Sequence, residues 1–170
     1  MKKILLFAVL VIVLASCKKS SSGIPANSIT ATINDTVHTF NTSLIDTTIY
    51  SDSTLIVLLE ATDVNLNKLA IELFARKTTP LKAITYGTTA DTLHQVGVGY
   101  IAPEGTNYYS QPPYDASYPL TVNVTTLNST TIQGTFKGTL FLNGEDTTNS
   151  SKIPVTNGTF SFTKPTAAIQ

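Results

Sequence analysis

Five of the chain's seven tyrosines, Tyr100, Tyr108, Tyr109, Tyr114 and Tyr118, crowd into the segment GYIAPEGTNYYSQPPYDASYP between Gly99 and Pro119. Tyrosine joins apolar area to a hydroxyl, so such rings can stack on a sugar or peptide while nearby amides and carboxylates take hydrogen bonds. Tyr100, Asn107, Tyr108, Tyr109, Gln111, Tyr114, Asp115 and Tyr118 therefore form a candidate ligand-binding loop. The segment is too long and proline-rich for a hairpin connection, and loops of this length in compact domains are usually functional or disordered. A plug is the simpler account of the same composition, with amphipathic rings folding back to seal one end of the domain. The chain has no tryptophan, the strongest stacking platform, which weighs against a carbohydrate module.

Other residues with chemical potential are scattered. His38 and His94 are the only two histidines, each in an alternating strand-like stretch, with no second histidine at ligand spacing and no cysteine to complete a zinc site. No metal and no cofactor is expected. Asp63-Val64-Asn65-Leu66-Asn67 imitates the start of a calcium loop, but Lys68 stands where glycine is needed and Phe74 where a bidentate glutamate is needed. That stretch reads as a hairpin turn. Glu60, Glu72, Glu104 and Glu145 form no evident pair, and no Gly-x-Ser-x-Gly elbow occurs. The domain reads as non-enzymatic. An envelope hydrolase is the rival, and it requires His38 or His94 to meet a carboxylate in an open cleft.

The remaining reactive side chain is the lone cysteine. Lys2 and Lys3 precede an apolar run, Ile4 to Leu14, too short to span a bilayer, and small residues Ala15 and Ser16 lead to Cys17. Leu14-Ala15-Ser16-Cys17 resembles the lipobox of bacterial lipoproteins, which implies a signal peptide over 1–16 and lipid attachment at Cys17. Two or three acyl chains on one residue, at about 0.8 kcal/mol per buried methylene, hold a domain firmly to a membrane. The whole chain balances 11 basic against 11 acidic residues; without Lys2, Lys3, Lys18 and Lys19 the balance is 7 against 11. No basic stripe is left to bind nucleic acid.

The elements that must position these side chains are strands. Residues 17–27, with KKSSSGIPAN, read as a lipid-anchored flexible tether, 28–165 as an all-β domain and 166–170 as a tail. Ile29, Ala31 and Ile33 alternate with Thr30 and Thr32, and Asn34-Asp35 supplies a turn before TVHTF. TLIVLLEA suits a strand buried on both faces, pairing with KLAIELFA as a hairpin. Leu120, Val122 and Val124, then Ile132, Gly134, Phe136, Gly138 and Leu140, alternate with polar residues, while Asn143-Gly144 marks a turn and Asn157-Gly158 a bulge. Short strands in succession predict an antiparallel β-sandwich, or alternatively a small lipocalin-like β-barrel.

ITATINDTVHTF, TIQGTF and IPVTNGTFSF resemble an uncharacterised family of small all-β Bacteroidota lipoproteins. That resemblance implies a cell-envelope protein without a transferable activity. The missing acidic tract after Cys17 favours the periplasmic face of the outer membrane over the cell surface. Asp-Ser/Thr-apolar sequons of the Bacteroidota O-glycosylation type are resembled at Thr36, Thr47, Ser53, Thr92 and Thr147. The expected partners are the membrane, through lipid on Cys17, and a glycan, peptide or outer-membrane protein. A purely structural subunit of an outer-membrane assembly would instead carry an exposed apolar patch.

Overall fold

Alternation of apolar and hydroxyl side chains cannot be buried by a helix, and strands result wherever it occurs. The computed structural model describes residues 24–51, 54–76, 78, 80–87, 93–110, 119–144 and 151–163, of which 46–51 in backbone only. Its elements are β1 (Ser28–Ile33), β2 (Thr36–Phe40), β3 (Thr42–Ser51), β4 (Thr54–Thr62), β5 (Lys68–Arg76), β6 (Thr85–Tyr86), β7 (Gln95–Ile101), β8 (Asn107–Ser110), β9 (Thr121–Leu127), β10 (Thr131–Leu142) and β11 (Lys152–Thr163). Cys17, the tether before Ile24 and the tail at 166–170 lie outside the described residues.

One antiparallel sheet runs β2-β1-β11-β10-β8-β7-β5-β4-β3, with β9 on β10 and β6 on β9. It is nearly closed and barrel-like, consistent with the expected β-sandwich or small barrel. Closure comes from a strand that changes partner. β2 pairs with β1 as far as Phe40 opposite Ile29, and β3 pairs with β4 from Thr42 opposite Thr62. Between them the Asn41 N–H donates to the Thr62 carbonyl at 3.2 Å, so the two ends of the sheet meet there. The first strand lies against the last, with Ser28 opposite Ser161.

Inward side chains make one core, in which Ile29, Phe40, Leu59, Ile71, Leu73, Phe160 and Phe162 are fully buried. Each such side chain contributes roughly 1.5–3 kcal/mol by leaving water. Both faces of TLIVLLEA were expected to be buried; only Val57, Leu59 and Ala61 are, while Leu58 and Glu60 on the outer face stay half-buried. The outer face of a barrel has no second layer to cover it. The Asn157-Gly158 bulge is present: Asn157 takes φ 51° and the β10–β11 register shifts between Phe136 and Gly138.

Candidate functional site

The tyrosine-rich segment is not one long loop. β7 continues to Ile101 and β8 begins at Asn107, joined by a tight turn in which the Ala102 N–H donates to the Thr106 carbonyl at 3.0 Å and the Gly105 N–H to the Ala102 carbonyl at 2.9 Å. Gly105 takes φ 87°, completing a type I turn followed by a left-handed residue. The signal was available in Ala102-Pro103-Glu104-Gly105, because proline suits the second position of a type I turn and glycine the fourth.

Pairing then splits the candidate residues between two faces. Tyr100 lies opposite Tyr108, packing toward the core, whereas Asn107 and Tyr109 belong to the outer face with Ile101 and Gly99 as partners. Tyr100 and Tyr108 thus pack against the core, while Asn107 and Tyr109 stand on the outer face. Gln111, Tyr114, Asp115 and Tyr118 lie outside the described residues.

On the inner side, Tyr100 belongs to a polar chain at the rim of the barrel. Its hydroxyl donates to Asn67 Oδ1 at 2.7 Å, and Asn67 Nδ2 donates to Asp63 Oδ2 at 2.8 Å. Asp63 Oδ1 accepts the backbone N–H groups of Asn65 and Asn67, both at 2.9 Å, and His38 Nδ1 sits 3.1 Å from Asp63 Oδ2. Burial alone would push the Asp63 carboxyl up, but the hydrogen bonds from the Asn67 side chain, His38 and the two turn N–H groups outweigh it and hold the group below its usual 3.8. Burial, with help from the charges of Asp63 and Glu104, pushes the Tyr100 hydroxyl up, so it stays protonated and able to donate.

A histidine oriented by a carboxylate is the arrangement of a general base. Here, among the described residues, no hydroxyl is bonded to His38, and both Asp63 oxygens are engaged by the turn. His38 stacks on Phe40 with ring centroids 5.7 Å apart and meets Tyr100 edge-on at 6.0 Å. The cluster clasps β2 to the β4–β5 turn where the sheet's ends meet. His94 was expected on a half-exposed strand; it is a buried bend residue just before β7, edge-on to Tyr86 at 5.6 Å.

The outer side carries an open groove of about 460 Å³ between Glu60 and Glu72 on one wall and Asn107 and Tyr109 on the other. A neighbouring hollow of about 320 Å³ extends it over Gly97. Ala70, Gly97 and Gly99 make the floor, since all three point outward on adjacent strands with Ala70 opposite Gly99 and Glu72 opposite Gly97. Glu72 leans across the floor, its Oε2 3.2 Å from where a Gly97 Cβ would stand. A Cβ at Gly144 would collide with the Tyr109 ring, so that ring rests directly on the Gly144 backbone. Glu60 pairs at 3.8 Å with Lys68. Glu60, Glu72 and the two glycines were not foreseen as lining residues; alternate glycines within a strand are the signal that marks a close approach.

Among the described residues no group of three histidine, cysteine or acidic side chains is placed to hold a metal ion. Thr36 is exposed beside the β1–β2 turn. The side chain of Thr47, together with Ser53, Thr92 and Thr147, lies outside the described residues.

Residues 1–17 match the prokaryotic membrane lipoprotein lipid attachment site. No curated protein and no solved structure matches the chain. The chain thus carries the attachment signal of a bacterial lipoprotein, and lipid on Cys17 anchors its barrel in the cell envelope.

Proposed function

We propose that the barrel is a non-catalytic binding module that holds a glycan in its outer groove. The observation that carries this reading is the flat floor of Gly97 and Gly99 set between Glu72 and a Tyr109 ring braced on the Gly144 backbone. A sugar ring lies flat on such a floor, stacks on tyrosine and gives its hydroxyls to carboxylate and amide oxygens. The strands beneath, β4, β5, β7 and β8, are each paired on both sides, so a peptide has no free strand edge to join there.

A thermal-shift series with oligosaccharides tests it. A ligand at a hundred times its Kd adds about 2.7 kcal/mol, which raises the midpoint by roughly 5–10 °C for a chain of this size. Tyr109→Ala and the floor-filling Gly99→Val should abolish the rise, whereas Tyr108→Phe should keep it. A panel without any shift, or a shift indifferent to Tyr109, sinks the reading.

The 3.1 Å pairing of His38 with Asp63 supports a second reading, an envelope hydrolase. It requires a substrate whose turnover disappears in His38→Ala while the folded barrel persists. Kinship with the small Bacteroidota lipoproteins, and a place on the periplasmic face of the outer membrane, rest on the three strand motifs and on Lys18-Lys19 following Cys17 in place of acidic residues. The exposure of Thr36 supports it as an O-glycosylation acceptor, to be checked by mass spectrometry of the native protein.

A further inference from the structure

Seven large apolar side chains are exposed among the described residues, and five of them, Val37, Leu44, Val64, Leu66 and Ile101, lie in the β4–β5 turn or on the strands that flank it. Val64 and Leu66 form its tip and are 86% and 70% exposed. Val37 precedes the histidine bonded to Asp63, Leu44 lies opposite Glu60 on the outer face, and Ile101 lies opposite Lys68 at the foot of the turn. The β9–β10 turn, by contrast, presents Asn128, Ser129 and Thr130.

Leu66 also adopts φ 68°, a left-handed conformation that bulky side chains disfavour and that glycine or asparagine takes readily. A leucine there worsens the turn and leaves its own side chain in water. The second penalty is removed when the side chain has an apolar medium to enter.

The position of the anchor says which medium. Ser28 lies one rung before the Ile29–Phe40 pair, and Asn41 on the facing strand is bonded to Thr62 at the end of β4. The entry of the chain into the barrel is therefore two strand spacings, about 10 Å, from the β4–β5 turn. Eleven residue steps separate Cys17 from Ser28. However they run, they span at most about 36–40 Å. The tether is thus long enough to let the apolar rim reach the bilayer that carries the acyl chains.

We propose that the β4–β5 turn is a second membrane contact, with Val64 and Leu66 inserting into the lipid surface to which Cys17 is attached. Glu104 on the adjoining turn and the Lys68–Glu60 pair stay at headgroup level, which limits insertion to the tip. The contact fixes the orientation of the barrel on the membrane, which a lipidated tether by itself does not.

The natural absence of tryptophan makes the test direct. The full lipidated protein carrying Leu66→Trp, or Val64→Trp in case the first variant does not fold, is reconstituted into phosphatidylethanolamine–phosphatidylglycerol vesicles with and without brominated acyl chains. The expected result is blue-shifted emission that loses most of its intensity in brominated lipid, with Thr130→Trp at the β9–β10 turn unshifted and unquenched. Water-like emission from both tip variants overturns the proposal. So does a blue shift that brominated lipid fails to quench, which would mean a protein partner covers the rim.

Discussion

Two turns at the same rim have the same backbone and opposite sequences. In each, the first residue's N–H bonds to the fifth residue's carbonyl and the fourth residue's N–H to the first residue's carbonyl, in Asp63–Asn67 at 2.9 and 3.1 Å and in Ala102–Thr106 at 3.0 and 2.9 Å. The fourth position is left-handed in both, with Leu66 at φ 68° and Gly105 at φ 87°. Glycine makes the second turn self-sufficient. The first has a leucine whose conformation costs roughly 1–2 kcal/mol, offset by the Asp63 carboxylate that gathers two backbone N–H groups, an amide and an imidazole. One turn is held by its local sequence and the other by a network reaching across the barrel seam.

Breaking the network should give the largest effect. Asp63→Ala leaves buried donors without acceptors and should lower stability by about 3 kcal/mol in urea denaturation, while Ala102→Ser at the matching position should change it by less than about 0.5 kcal/mol. The same carboxyl adds an acid dependence. Because it ionises more readily folded than unfolded, its contribution is complete above pH 3.8 and is lost as pH falls below that value through the lower folded pKa. Asp63→Asn should remove this part of the acid slope, seen by repeating the melts across that range.

Next in size is Gly105→Leu, which copies the strained turn without its network and should cost about 1–2 kcal/mol. Leu66→Asn should relieve strain and raise stability by up to about 1 kcal/mol, sharpening the contrast by changing sign. Smallest is Lys68→Met at the foot of the turn. Its 3.8 Å pair with Glu60 is half exposed, and the midpoint should move by no more than about 0.5 kcal/mol allows.

Period-two alternation made most strands legible, and the β4–β5 turn could be read from Asp63-Val64-Asn65-Leu66-Asn67 alone. The β7–β8 turn was hidden by its neighbours, because the prolines and tyrosines that follow Ser110 made Gly99 to Pro119 look continuous. Closure of the sheet depends on Asn41, where one strand exchanges β1 for β4, and nothing in Phe40-Asn41-Thr42 signals a change of partner. The outer groove was equally unreadable. Its floor exists only because Ala70 lies opposite Gly99 and Glu72 opposite Gly97, and register across strands far apart in sequence is a tertiary property.

The side-by-side placement of β1 and β11 bears on how the molecule is made. Ser28 must find Ser161, its partner near the end of the chain, before the wall is complete. Contacts so distant in sequence form late and slowly. A polypeptide delivered to the envelope with its amino end leading therefore cannot finish its barrel during transit. Its first strand must wait, with an unpaired edge, until the last strand has crossed the membrane.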